Sequence, residues 1–323
     1  MDFEHQTPET ETAELAYPDG PQPEDVQAEI RRTRHRKELA LYRFLIALGA
    51  LAIIYVLWRA GERPSMEELQ SYSYGDPSTL IMLNTILLIA SLFTGIGGIV
   101  IFLISLLFQY YAYYGGQLAF SIRVSEKNFP EIYHKAQEYT RLLGLKKMPE
   151  IYVRQMNGQV NAYTSWVPGK TFIQLNAEIV DLAYMENKDF DPVFFVMAHE
   201  FGHVHLHHVQ LAYTLWPMLA MFFPALGQLF YLGLQRAREY SADRVAQALT
   251  GGKAELETMM MLSAGRHAYK YVDAGDYVER INENNRALER FARWCINFAS
   301  THPIHPYRVR AILDPEKRSG RLL

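Results

Sequence analysis

Hydrophobic residues are bunched, not spread, over the first third of the chain. Residues 39–58 hold one charge, Arg43, and no charged residue occurs between Asp76 and Arg123, where 80–108 is almost wholly apolar. A bilayer core takes about 20 helical residues to cross, so each run predicts one tilted transmembrane helix. From Pro130 the pattern becomes that of a mixed globular domain. Ile132, Tyr133, Ala136, Tyr139 and Leu143 follow the helical period and stop at Gly144. Residues 151–153, 162–167 and 171–175 read as short strands, the last two joined by a turn at Pro168-Gly169. Asp191, as an N-cap, and Pro192, as the first helical residue, open a helix through Phe194, Phe195 and Met197. Further helices are expected around 236–249, 254–269 and 284–298. The fold class expected is mainly α with a small β-sheet, an α+β domain preceded by a two-helix transmembrane hairpin.

The flanks set an orientation. Arg31, Arg32, Arg34, Arg36 and Lys37 precede the first span, while the loop over 59–78 is mildly acidic. The positive-inside rule then puts the N-terminus in the cytoplasm, the loop outside, and everything after Tyr114 back in the cytoplasm. Tyr110, Tyr111, Tyr113 and Tyr114 read as an aromatic belt where the second helix leaves the lipid. Ahead of Arg31 nine carboxylates, from Asp2 to Glu29, face no Lys or Arg, with Pro8, Pro18, Pro21 and Pro23 interspersed. Such a segment buries too little apolar surface to offset its ordering entropy and reads as disordered. The apolar run starts too far from Met1, behind an acidic tail, for a cleaved signal peptide. Three regions result: a tail over 1–36 with a basic juxtamembrane end, a membrane hairpin over 37–115, and a globular domain over 116–323. Cys295 is the one cysteine, so no internal disulfide forms.

Chemistry enters with two short runs. In His199-Glu200-Phe201-Gly202-His203, two imidazoles stand one helical turn apart on one face, able to reach a single metal ion with Glu200 beside them. Downstream, Glu239-Tyr240-Ser241-Ala242-Asp243 sets two carboxylates at i and i+4, suited to a third ligand and an outer carboxylate. Together they read as a catalytic zinc site, one Zn2+ per chain. His205, His207 and His208 continue the first helix; a polar face is one reading and an accessory metal contact the other. Between the runs, 209–234 is strongly apolar (Trp216, Met218, Phe222, Phe223, Phe230) yet broken by Pro217, Pro224 and Gly227. His203 and Glu239 must meet at one ion, so the chain enters and leaves this segment on one side of the membrane. Two full crossings need about 40 residues, more than are present. A helical hairpin that dips into or lies on the bilayer is expected, with a hairpin packed on the protein core as the alternative.

At this point the chain resembles the integral-membrane gluzincin peptidases of the HtpX and CAAX-prenyl-protease type. The likeness covers roughly Pro130 to the C-terminus and rests on NAYTSW from Asn161, AHEFGH from Ala198, EYSAD from Glu239 and STHPIHPYR from Ser300. It implies Glu239 as third zinc ligand, Asp243 as orienting aspartate, and His302 and Arg308 as the late histidine and arginine, with His305 a competitor for the former. The HtpX-like members carry two full membrane helices between the zinc motifs, and this chain has no room for them.

The reaction expected is peptide-bond hydrolysis. His199, His203 and Glu239 hold zinc and leave its fourth position to a water, whose pKa falls from ~15.7 towards ~7. Glu200 takes that water's proton as general base and passes it to the leaving amine. Asp243 accepts from a ligand histidine and fixes its tautomer. His302 or Arg308 donates to the oxyanion; for Arg308 a surface salt bridge is the competing reading. The strand from Asn161 and Ala162 offers an edge on which a peptide substrate adds as a further strand. The expected function is thus a membrane-anchored zinc endopeptidase working on the cytoplasmic side, on misfolded membrane proteins or a specific regulator. The alternative is a catalytically silent zinc-binding membrane scaffold of the same fold. Its expected partners are a peptide or protein substrate and the lipid bilayer, with no nucleic acid.

Overall fold

Val26 and Ile30, four apart in an otherwise polar segment, fold into a first helix, α1 (Pro23–Ile30), and both side chains enter the main core. This corrects the disordered tail expected through residue 36. The i, i+4 pair lines up enough apolar surface on one face to hold the turn in place. The computed structural model describes residues 23–61, 96–185, 188–252, 254–283, 286–313, 320 and 322, so the acidic stretch over 1–22 lies outside the described residues.

The two apolar runs give α2 (Glu38–Gly61) and α3 (Ile96–Phe120). Among the described residues one helix, α2, is long and apolar enough over Glu38–Tyr55 to cross a bilayer. The second expected span is described only from Ile96, and the loop before it lies outside the described residues. Both helices present bulky apolar side chains outward, Leu51, Ile54 and Trp58 on α2 and Ile104 and Phe108 on α3. The tyrosines at the end of α3 have another use than the expected belt. Tyr110, Tyr113 and Tyr114 pack on Tyr152, Val167 and Phe172, while Tyr111 stays exposed. Tyr114 donates its hydroxyl to Glu150 Oε2 at 2.8 Å. A tyrosine supplies both an apolar ring for the contact and a donor at its rim, which suits docking a helix on a sheet.

That sheet has four strands, β1 (Ile122–Arg123), β2 (Glu150–Arg154), β3 (Ala162–Val167) and β4 (Lys170–Asn176), in the order β1-β2-β4-β3. β2 and β4 are parallel; the other two pairings are antiparallel. Period-2 alternation divides β4 between two cores: Ile173 and Leu175 join the main one, and Phe172 faces α3. Gln174 shares the Phe172 face. There a line of buried amides runs from Gln117 Nε2 to Gln174 Oε1 (2.7 Å), from Gln174 Nε2 to Asn176 Oδ1 (2.8 Å), and from Asn176 Nδ2 to the Gln159 carbonyl (2.9 Å). β3 is an edge strand, and among the described residues nothing pairs with its outer side.

The main core lies between the other face of the sheet and helices α4 (Pro130–Leu142), α5 (Ala177–Met185) and α6 (Asp191–His205), with Ile132, Tyr139, Phe195 and Phe201 at its centre. Asp191 is the first helical residue and not the expected cap; its N–H is satisfied by Asp189 Oδ1 at 3.0 Å. The apolar segment after α6 forms α7 (Leu211–Leu219), a 3-10 turn (Ala220–Phe222) and the first part of α8 (Pro224–Thr250). A Cβ at Gly227 would fall 2.0 Å from the Ala220 carbonyl oxygen, so this return admits only glycine. The hairpin packs on α2, where Leu45, Ala220 and Leu234 bury together with Leu48 and Phe230. The helices that complete the fold are α9 (Glu255–Ala264), α10 (Ala274–Glu283), α11 (Ala287–Ala299) and α12 (His305–Leu313).

Candidate active site

α6 and α8 cross at Gly202. A Cβ there would lie 3.0 Å from Ala242 Cα and 3.1 Å from the Ala242 carbonyl oxygen, so the two backbones approach as closely as a missing side chain allows. This contact brings the two sequence runs together: His199, Glu200 and His203 on α6 face Glu239 and Asp243 on α8. His199 Nε2 and His203 Nε2 are 3.1 Å apart, His199 Nε2 and Glu239 Oε2 3.4 Å, and His203 Nε2 and Glu239 Oε1 3.5 Å. Ligands about 2.0–2.1 Å from a tetrahedral zinc ion lie roughly 3.4 Å from one another. Two imidazoles and a carboxylate at that mutual spacing fit the ion in donor type and in geometry.

Hydrogen bonds hold both imidazoles from behind. Asp243 Oδ1 lies 2.8 Å from His199 Nδ1, which leaves Nε2 for a metal. Arg308, on α12, donates Nε to Asp243 Oδ2 at 2.9 Å and Nη2 to Oδ1 at 2.5 Å. Burial alone would raise the Asp243 carboxyl, but Arg308 and His199 hold it down to about 2. Burial likewise works to lower His199, and its bonds to Asp243 and Glu239 carry it up to about 10. Glu239 stays well below the usual carboxylate range, because the imidazoles of His199, His302 and His203 outweigh its desolvation. Burial keeps His203 well below the ordinary imidazole range. Its Nδ1 is 3.0 Å from His208 Nδ1, and His208 Nε2 is 3.1 Å from Glu38 Oε1. Burial brings His208 down to about 4.

Glu200 sits on the cleft side of α6. Burial raises its pKa, while Thr164 Oγ1 on β3 donates to Oε2 at 2.5 Å and favours the carboxylate. The cleft, about 340 Å³, runs along the outer side of β3 from Asn161 and Ala162 to Ser165 and has Glu200 and the three candidate ligands in its wall. His302 Nε2 reaches to 3.4 Å from Glu239 Oε1 with its side chain 64 % exposed. His305 turns to Ser263 Oγ at 2.7 Å, so of the two histidines His302 approaches the site. Arg308, which also lines the cleft, binds Asp243 through two of its donors in a buried pair, and this gives it a part in holding His199.

His199, Glu200, His203, Glu239 and Asp243 are therefore brought together as their spacing predicts, and His302 joins them as the resemblance implies. Thr164 and Glu38 have no counterpart in the sequence reading, while His208, one of the three histidines after the motif, meets the candidate ligand His203 and not the ion cluster itself. Thr164 lies inside a strand that already pointed to the cleft. Glu38 has no local signal, being 170 residues from its partner in the chain. The family model described as peptidase family M48 matches residues 126–316, more than half of the chain and all four runs that carry the resemblance, without distinguishing a subtype. No curated protein and no solved structure matches.

Proposed function

The chain belongs to peptidase family M48, a family of zinc-dependent peptidases, and we propose that it is a membrane-anchored endopeptidase facing the cytoplasm. The observation that carries this reading is the meeting of His199, His203 and Glu239 beside a buried Glu200, in a cleft walled by a free strand edge. A zinc ion bound there supplies Lewis acidity and makes a water nucleophilic near neutral pH. Asp243, itself clamped by Arg308, orients His199. Glu200 accepts the proton of the attacking water and returns it to the leaving amine nitrogen, so bond formation to the carbonyl carbon and loss of the amine are both proton-balanced. Thr164 aims that carboxylate and favours its ionised form against burial. His302, exposed beside Glu239, donates to the oxyanion that forms on the scissile carbonyl, a term of about 3 kcal/mol in typical cases.

A substrate in extended form adds to β3 at Asn161 and Ala162, and main-chain pairing admits many sequences. Support for the bilayer comes from the outward apolar faces of α2 and α3, and from the basic cluster ahead of α2. The nine residues of α7 span only about 14 Å, against roughly 30 Å of hydrocarbon, so the hairpin beside α2 dips into the bilayer and returns. Ser241, two residues from Glu239, bonds Glu38 at the first turn of α2, so the cleft opens at the level where the span begins. Juxtamembrane segments of misfolded membrane proteins are the substrates this placement favours. The test is cleavage of a quenched unfolded protein by the detergent-purified chain, wild type beside Glu200→Gln, with zinc content measured on both. Loss of turnover with one zinc retained per chain is expected. Equal turnover in the two proteins overturns the mechanism, and zinc without turnover in either favours the scaffold.

A further inference from the structure

His208 and Glu38 are buried polar groups that the proposed reaction leaves unused. Glu38 opens α2 and lies outside the region matched by the family model. Both its oxygens are engaged: Oε1 by Arg34 and by His208 Nε2 at 3.1 Å, Oε2 by Ser241 Oγ at 2.5 Å. Two imidazole nitrogens in contact, as His208 Nδ1 and His203 Nδ1 are at 3.0 Å, share one proton between them. A carboxylate only accepts, so it draws the proton of neutral His208 to Nε2. His208 Nδ1 is then the acceptor, and His203 carries its own proton on Nδ1. The lone pair of His203 is thereby left on Nε2, the nitrogen that faces His199 and Glu239.

We propose that Glu38 and His208 are positioning residues for the metal ligand His203, through which the first turn of the membrane helix fixes the tautomer and ring orientation of that ligand. This rests on the zinc-peptidase reading. The two imidazoles are then held alike: His199 by Asp243 from within the matched domain, His203 by Glu38 from outside it, with His208 as the intermediary. Seating of the base of α2 becomes a condition for a competent metal site.

The experiment uses the full chain in detergent, as wild type, His208→Phe, Glu38→Met, Ser241→Ala and His199→Ala. Zinc affinity is read by competition with a chromophoric chelator, and site geometry by the visible spectrum with Co2+ in place of zinc. Apo-protein unfolding in chelator reports the fold separately. Loss of a group that orients a ligand costs about 10–100-fold in metal affinity. That loss, with altered cobalt bands, is expected for His208→Phe and Glu38→Met. Ser241→Ala, which removes the partner of Glu38 Oε2 and leaves Arg34 and His208 on Oε1, is expected to stay near wild type. If Glu38→Met does not fold, His208→Phe carries the test, and Glu38→Gln, whose amide oxygen still accepts from His208 Nε2, is expected to stay near wild type. Wild-type affinity and spectrum in His208→Phe and Glu38→Met, while His199→Ala loses the ion, overturns the positioning role and leaves the zinc reading standing. Zinc binding that survives His199→Ala overturns the zinc reading itself, and the inference with it.

Discussion

Gly202→Ala tests whether the crossing of α6 and α8 sets the metal site. The new Cβ would meet Ala242 Cα at 3.0 Å, its carbonyl oxygen at 3.1 Å and Val245 Cβ at 3.1 Å, so a neighbouring backbone must give by a few tenths of an ångström. Two terms oppose each other. Alanine gains about 1 kcal/mol of helix propensity over glycine. Overpacking a close contact costs about 1–3 kcal/mol. The expected net effect on the apo-protein is a loss of about 0–2 kcal/mol. Metal affinity is hit harder, because His199 and His203 stand on one helix and Glu239 on the other. Zinc sites tolerate about 0.2 Å in ligand distance. Separation beyond that is expected to weaken zinc at least tenfold, the equivalent of ~1.4 kcal/mol. Thermal unfolding in chelator and zinc competition measure the two effects independently. A higher unfolding temperature together with unchanged zinc affinity would refute the reasoning, since propensity would then be acting alone.

Three further outcomes follow from the hydrogen bonds. As the proposed general base Glu200 acts in its ionised form, so activity is expected above its pKa and is lost as pH falls through it. Thr164→Val removes a bond that lowers this pKa, and the acid limb of kcat/KM is expected to move to higher pH; an unmoved limb refutes the role of Thr164. Arg308→Met leaves Asp243 buried without its partner, at a cost of about 3–5 kcal/mol in urea unfolding at neutral pH. In the wild type the depressed Asp243 contributes stability that is full above its unfolded pKa of ~3.9 and is lost as pH falls towards about 2, on the order of 2 kcal/mol. Acid unfolding of Arg308→Met is therefore expected to begin at higher pH. Gln117→Leu removes the 2.7 Å donor of Gln174 and leaves Tyr113 at 3.4 Å. A loss of about 1–3 kcal/mol in unfolding is expected.

What was legible in the sequence depended on range. His199, Glu200 and His203 are set by one helix, and Glu239 and Asp243 by another, so the periodicity of each run placed them on shared faces before any contact was known. The strand pair ending at Pro168-Gly169 was equally local. Long-range partnerships had no such signature. An imidazole at 208 is polar wherever it points, and only the packing of α2 against α8 turns it toward Glu38. For Arg308 the family resemblance implies an approach to the site, and only the packing of α12 on α8 shows that Asp243 is the carboxylate it pairs with. The tyrosines of α3 show a second use that sequence does not separate from the first: a membrane boundary and a helix-to-sheet contact both call for an apolar ring with a polar rim. Val26 and Ile30 were overlooked because two apolar residues are too few to register as a pattern in an acidic segment.

Taken as the proposed substrate platform, the open edge of β3 has one more consequence, for what happens after a cut. A chain lying along that edge is held by a ladder of backbone hydrogen bonds whose strength grows with its length. Hydrolysis divides the ladder between two shorter pieces, each retaining only the bonds on its own side of the break. A two-stranded pairing of a few residues is weak in water. On that reading the reaction undoes the grip that preceded it, and the cut itself releases the fragments.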